Sequence, residues 1–153
     1  MTIQYRAANR LSEAELAFIA EQDSKIPLLY DPEYAWNDSS ILARIRFYEE
    51  HVHHDDFFEV ALDADGQIVA FHIVKKIPYP PNLSAGAIVT LWVTPKYRGQ
   101  RVAKTLKDRA EAWARKQDFA FLQTDVHGTN SKMISINEKA GYSVIQYTMR
   151  KPL

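Results

Sequence analysis

Arg98 and Arg101 are the residues of this chain whose type and spacing point most directly to chemistry. They stand in Val93-Thr94-Pro95-Lys96-Tyr97-Arg98-Gly99-Gln100-Arg101-Val102-Ala103, between an apolar run, Ala87 to Val93, and a long amphipathic stretch. The run reads as a buried strand and the stretch as a helix, so both arginines fall at a strand-to-helix corner. The first N–H groups of a helix have no partner inside it, and the helix dipole is positive there, so such a corner attracts anions. Guanidinium groups add fixed charge and forked donors suited to phosphate. An ordinary corner with two solvated arginines is the competing reading, and this stretch alone does not separate the two.

Around this corner the sequence sets out a frame. Ser12-Glu13-Ala14-Glu15 is a capping box with Leu11 and Leu16 as its hydrophobic staple, predicting a helix to about Glu21. Residues 23–40 are irregular and carry Tyr30, Asp31, Glu33, Tyr34, Trp36 and Asp38 between prolines. Ile41, Ile45, Tyr48 and Val52 share one face of a second helix. Phe57–Leu62 and Gln67–Lys75 are rich in strand formers and joined by Asp63-Ala64-Asp65-Gly66, a hairpin signal. The proline-rich 77–82 reads as an exposed loop. Val102, Leu106, Ala110 and Trp113 form the apolar side of the helix after the corner, and Phe119–Val126 reads as the next strand. Asn130 or Ser131 opens a short helix that Gly141 ends, and Tyr142–Arg150 alternates as a closing strand. The order predicts an α/β fold: one domain over 1–153, a mixed, mainly antiparallel sheet, flanking helices and a C-terminal βαβαβ segment.

Composition narrows the function classes. Lys+Arg and Asp+Glu are both 19, which argues against a broad nucleic-acid surface. There is no cysteine, so thiolate metal sites and a cysteine nucleophile are excluded. The run His51-Val52-His53-His54-Asp55-Asp56 invites a metal reading, but no dispersed partner completes a ligand pattern, and no metal is expected. No apolar run is long enough to span a membrane, and the N-terminus lacks a signal-peptide shape, so the expectation is a cytoplasmic protein without membrane contact.

Arg98-Gly99-Gln100-Arg101-Val102-Ala103 resembles the acyl-CoA pyrophosphate loop of the GNAT (GCN5-related) N-acetyltransferases, Q/R-x-x-G-x-G/A, with Arg101 where the pattern has Gly. A second block in the right order resembles the family's next strand and helix: Thr124-Asp125-Val126, then Asn130, Met133, Asn137, Gly141 and Tyr142. The resemblance implies acetyl-CoA as co-substrate and transfer of its acetyl group to a primary amine of a small molecule or peptide, by direct attack in a ternary complex. It implies that the cofactor lies on Trp92, Val93, Thr94, Arg98, Gly99, Gln100, Arg101, Val102 and Ala103, with Asn130 and Asn137 on its arm and a backbone N–H at Val93 stabilising the oxyanion. The family's loop between its first two helices lines the acceptor side, here Tyr30, Tyr34 and Trp36, whose aromatic faces suit a cationic amine. Thr90 stands where many members carry a Glu base, and Asn137 where many carry a Tyr acid. Water, Tyr142 and Tyr147, in that order, remain for the acid; Glu59, Asp125 and His127 remain for the base, with Thr90 and Asp125 also at the acceptor side. The missing Glu and Tyr keep a second class open, a non-catalytic acyl-CoA-binding regulatory domain. The family is often dimeric, so a homodimer is among the expected assemblies.

Overall fold

The computed structural model describes residues 2–34, 37–51 and 55–153. Its elements are β1 (Gln4–Ala7), α1 (Glu13–Ser24), α2 (Asp38–His51), β2 (Phe57–Leu62), β3 (Ile68–Tyr79), β4 (Leu83–Val93), α3 (Val102–Lys116), β5 (Leu122–Thr124) and α4 (Ser131–Lys139). The sheet runs β1-β2-β3-β4-β5. Its first three pairings are antiparallel, and β4 with β5 is parallel across the α3 crossover.

Local chemistry explains the element ends. Ser12 Oγ accepts from the Glu15 N–H and the Glu15 carboxylate accepts from the Ser12 N–H, which starts α1. The Asp63 carboxylate accepts from the N–H groups of Asp65 and Gln67, and Gly66 takes φ 78, which closes the β2–β3 hairpin. At the end of α4, Gly141 has φ 93, its N–H reaches the Glu138 carbonyl, and the Tyr142 N–H reaches the Asn137 carbonyl, both at 3.0 Å. That pair of bonds is a Schellman motif, and it fixes the direction in which Tyr142 leaves the helix.

Both faces of the sheet are covered. Leu16, Ile19, Ala20 and Tyr48 of α1 and α2 pack on Phe58, Val60, Phe71 and Ile73. Val102 and Leu106 of α3 pack on Ala61, Val69 and Ala70, and Ala110 packs on Phe57 and Val74. Among the glycines, Gly86 of β4 is the crowded one: a Cβ there would sit 2.5 Å from Leu122 and 2.9 Å from Val74.

Three expectations are corrected. Ile77, Pro78 and Tyr79 belong to β3, not to a loop. The pairing of β2 with β3 ends at Phe57↔Val74, so β3 is an edge strand from there on, where a proline costs no ladder bond on the open side. β5 is shorter than 119–126, because only Leu122, Gln123 and Thr124 pair with β4. Tyr142–Arg150 forms no strand, and Ile145, Tyr147 and Met149 are 80%, 85% and 92% exposed. The closing strand of the predicted βαβαβ segment is therefore unpaired, and Tyr147 is not on a core face.

Candidate active site

Strand β4 carries the geometry that matters. Its pairing with β3 shifts between Ile73↔Thr90 and Val74↔Ile88, leaving Val89 as an extra residue, a bulge. Its pairing with β5 stops at Ile88↔Thr124, so one edge of β4 is open from Val89 to Val93 among the described residues. The Thr94 N–H donates to the Val69 carbonyl at 2.8 Å. In an antiparallel ladder alternate residues turn their backbone groups to opposite edges, so the N–H and C=O of Val93 face the open one. Arg98 Nε donates to that Val93 carbonyl at 2.9 Å, which places the guanidinium over the open edge. The Trp92 side chain lies on the other side of the strand: it stacks on Phe71 at 5.3 Å and meets Phe18 edge-on at 5.8 Å. By the same alternation the Trp92 N–H and C=O face β3, as those of Thr94 do, so Trp92 presents no backbone group to the open edge.

The corner at residues 98–103 is built for an anion. No side chain caps α3. Thr105 is the first residue of α3 whose N–H finds a backbone partner, the Arg101 carbonyl at 2.9 Å. Gly99 has φ 76 and Arg101 has φ 65, both left-handed. For Gly99 this is free; for Arg101 it costs about 1–2 kcal/mol. Gln100 is held by a bond from Nε2 to the Lys96 carbonyl. The Val102 side chain is buried in the core, so its contribution here is its N–H, as it is for Ala103. These residues fit the pyrophosphate of acetyl-CoA: an uncapped helix end, two arginines beside it, and an open strand edge leading away. Replacing Arg101 by glycine is expected to raise stability by about 0.5–1 kcal/mol, relief of the left-handed cost exceeding the extra freedom of unfolded glycine. Thermal unfolding checks this, with an expected rise of about 1–4 °C.

A polar cluster that sequence reading did not assemble links α3 to α4. Lys107 Nζ donates to Asn137 Oδ1 at 2.9 Å and lies 5.2 Å from the centre of the Tyr142 ring. Burial holds the Lys107 ammonium below its usual pKa, only partly offset by Glu111 and Asp108. Burial, with a smaller contribution from Glu111, raises that of Tyr142. Asn137 is 7% exposed, and Lys107 occupies its carbonyl oxygen. His72 is fully buried; its Nδ1–H donates to the Thr90 carbonyl at 2.8 Å, and Nε2 has no partner among the described residues. Burial drives the His72 pKa down to about 4; the Thr90 bond opposes this and the positive Lys107 adds to it. The folded pKa lies below the unfolded value, so the unfolded chain takes up a proton first as pH falls. Stability is then expected to be complete above about pH 6.5 and to fall by roughly 3 kcal/mol as pH drops toward 4. Urea midpoints at neutral pH and near pH 4.5, compared between wild type and His72→Leu, test this; the variant should lose less.

Of the residues expected at the acceptor side, Tyr30 and Tyr34 line one pocket. Asn130 caps α4 through Oδ1, which accepts from the Met133 N–H at 3.2 Å, and its Nδ2 donates to the Tyr30 hydroxyl at 2.7 Å. Tyr30 stacks on His127 with ring centres 5.0 Å apart, and Thr129 holds His127 Nδ1 through its hydroxyl and N–H. Tyr30, Tyr34, Asp31, His127, Pro27 and Arg150 line a pocket of about 380 Å³. Arg150 pairs with Asp31 at 3.7 Å, a participant that no local sequence signal marked. Trp36 lies outside the described residues. Asp125 is exposed just past β5, and Thr90 is 7% exposed with a side chain that cannot serve as a base. Glu59, a candidate base, is instead clamped by Arg109 through Nε and a terminal nitrogen. Among the described residues no cluster of His, Cys, Asp or Glu could hold a metal; Val52, His53 and His54 lie outside them. No helix among them is long and apolar enough to cross a membrane.

A family model described as "Acetyltransferase (GNAT) family" matches residues 10–142. The chain belongs to the GNAT acetyltransferase family. Among GNAT relatives it is 31% identical over 96 residues to the N-terminal acetyltransferase B complex catalytic subunit NAA20 of Arabidopsis thaliana, covering 62% of this chain and 55% of that protein. It is 30% identical over 99 residues to the aminoglycoside N(6')-acetyltransferase type 1 of Klebsiella aerogenes, covering 61% of this chain and 65% of that one. The match thus spans less than two thirds of either relative. Among solved structures, a Trypanosoma brucei acetyltransferase superposes with a TM-score of 0.70 at 18% identity, over 99% of this chain and 100% of that one, a likeness of fold.

Proposed function

We propose that this GNAT chain is an acetyl-CoA-dependent N-acetyltransferase acting on a primary amine of a small molecule or peptide. The observation that carries the reading is the uncapped N-terminus of α3, flanked by Arg98 and Arg101 and continuous with the open edge of β4. Acetyl-CoA, when bound, supplies an acyl group activated as a thioester. Backbone N–H groups from Gly99 to Ala103 and the two guanidiniums would hold its diphosphate. The Val93 N–H, turned to the open edge, is the donor available to an oxyanion; one such group contributes roughly 3 kcal/mol to a barrier reduction.

The amine side rests on the Tyr30–His127–Asn130 group. The names of the two relatives point to different acceptors, a protein N-terminus and an aminoglycoside, and share the chemistry of an amine. Aromatic walls with Asp31 suit a cationic amine before it loses its proton. Asn130 acts here as the tie that fixes Tyr30 to the start of α4. Tyr30→Phe is therefore expected to raise KM for the amine several-fold while leaving acetyl-CoA affinity unchanged, as steady-state kinetics and calorimetry would show.

The acid is Lys107 in this reading. Asn137 stands where many members of the family carry a tyrosine, and its amide oxygen accepts from the Lys107 ammonium. That ammonium carries a proton that burial loosens, so it can protonate a leaving thiolate where Asn137 cannot. Water and Tyr142 move behind it, because the Tyr142 hydroxyl holds its proton more tightly than usual. Thiol release measured over amino acids, polyamines, aminoglycosides and peptide N-termini tests the function; release that requires an amine supports it. Acetyl-CoA binding with no amine-dependent release would leave the non-catalytic acyl-CoA-binding reading instead.

A further inference from the structure

Tyr30 and His127 form one wall of the acceptor pocket, and their hydrogen bonds decide which of their polar atoms donate. The Thr129 N–H donates to His127 Nδ1 at 3.3 Å. An N–H has no lone pair to offer, so Nδ1 is the acceptor, and the Thr129 hydroxyl at 2.8 Å can turn its own hydrogen to the same atom. A neutral imidazole carries one N–H, and with Nδ1 accepting, that hydrogen sits on Nε2. The His127 carbonyl accepts from the Asn130 N–H at 2.8 Å, which fixes the turn that carries the ring.

Tyr30 is settled by the same reasoning. Asn130 Oδ1 accepts from the Met133 N–H, so the nitrogen of that amide is the atom that reaches Tyr30, and it donates to the hydroxyl at 2.7 Å. The hydroxyl oxygen therefore accepts, and its own hydrogen is directed elsewhere. The two rings stack with centres 5.0 Å apart and planes 14° apart, so one wall presents two donors, Nε2–H and O–H. His127 keeps no lone pair for the proton of an amine, which removes it from the candidates for the base.

We propose, resting on the acetyltransferase reading, that His127 determines specificity and that the preferred acceptor is an amine carrying an oxygen a few bonds away. That oxygen accepts from His127 Nε2–H and the Tyr30 hydroxyl. Asp31 lines the same pocket and supplies negative charge for the ammonium, and Arg150, paired with Asp31 at 3.7 Å, adds positive charge for the oxygen. A pocket of about 380 Å³ keeps the two groups of the acceptor close together. A peptide N-terminus with its first carbonyl and an amino alcohol share this chemistry; an alkyl polyamine lacks it. An amine without the oxygen leaves both donors unpaired, and that cost is the source of the discrimination.

Two isosteric pairs of amines test this. Alaninamide is compared with the alkylamine that has isopropyl in place of its amide, and ethanolamine with propylamine. Basicity also differs within each pair, so the readout is the change in the kcat/KM ratio of a pair between wild type and variant. His127→Phe keeps a ring against Tyr30 and removes the N–H; the ratio is expected to fall about ten-fold in at least one pair. A fall in the amide pair assigns a peptide-like acceptor, and a fall in the alcohol pair an amino alcohol. His127→Gln restores an amide N–H and should keep most of the ratio. An unchanged ratio in His127→Phe, or a loss shared equally by every amine in both variants, the mark of a base, would overturn the assignment. Nitrogen NMR of the labelled imidazole gives a readout without acetyl-CoA. The proton is expected on Nε2, with a signal that shifts on adding alaninamide and not its isostere; a proton on Nδ1, or equal shifts, would overturn it. If no amine is acetylated while the ring still answers to the oxygen, the acetyltransferase reading fails and the selectivity of the pocket stands.

Discussion

Replacing Arg98 by alanine and Arg101 by glycine together is expected to weaken acetyl-CoA binding by about 100-fold. Each guanidinium offers a charge-assisted bond to the diphosphate, and because both side chains are exposed the low end of the range applies, about 1.5 kcal/mol each. Glycine is the right substitution at 101, since alanine would keep the left-handed cost at φ 65 without the charge. Arg98→Ala also frees the Val93 carbonyl on the open edge of β4. Calorimetry should report weaker binding in a protein no less stable at residue 101 than wild type. The affinity should also fall with added salt more steeply in wild type than in the variant, because the lost contacts are ionic. Unchanged affinity in the folded double variant would remove the diphosphate from this corner.

Lys107→Met is expected to lower kcat by about 10²–10⁴ while changing acetyl-CoA affinity little. Methionine keeps an unbranched apolar stem beside the Tyr142 ring and removes only the ammonium. The wild-type kcat should fall on the alkaline side at a pKa below that of an ordinary lysine, because burial loosens this proton and the neutral amine cannot donate. That alkaline limb should vanish in the variant. A structural role for the Lys107–Asn137 bond would instead lower thermal stability and leave the pH profile in place. Tyr142→Phe keeps the ring beside Lys107 and should cost less than about ten-fold, short of the roughly 10²–10⁴-fold a general acid contributes.

The corner itself was legible in sequence because everything that makes it is local: a strand, a proline, a glycine, two arginines and a helix within a short span. The capping box at Ser12 and the helix stop at Gly141 were readable for the same reason. The backbone angle at Arg101 was not, since sequence leaves open whether that position lies in the first helical turn or just before it. The structure places it just before, left-handed. Pro78 misled because a missing N–H forbids a central strand but not an edge, and which stretch of β3 is an edge depends on where β2 stops. The Lys107–Asn137 bond joins residues 30 apart and the Asn130–Tyr30 bond residues 100 apart. No periodicity or motif encodes either pairing; only the tertiary fold brings α3 within reach of Asn137, and Tyr30 of the α1–α2 connection within reach of Asn130. The arm at 143–153 shows the reverse case. Its alternation reads as a strand, yet it forms none, because a strand needs an edge to pair with and the arm pairs with no strand among the described residues.

The most direct measurement follows isotope-labelled acetyl from acetyl-CoA onto an amine in a single turnover, with wild type and the Arg98→Ala/Arg101→Gly variant run side by side. The account predicts label on the amine nitrogen with at least one acceptor class, free thiol in equal amount, and a much smaller yield from the variant at limiting acetyl-CoA that recovers as acetyl-CoA is raised. Acetyl-CoA bound at the corner with no label reaching any amine, or thiol released equally well without one, would contradict it.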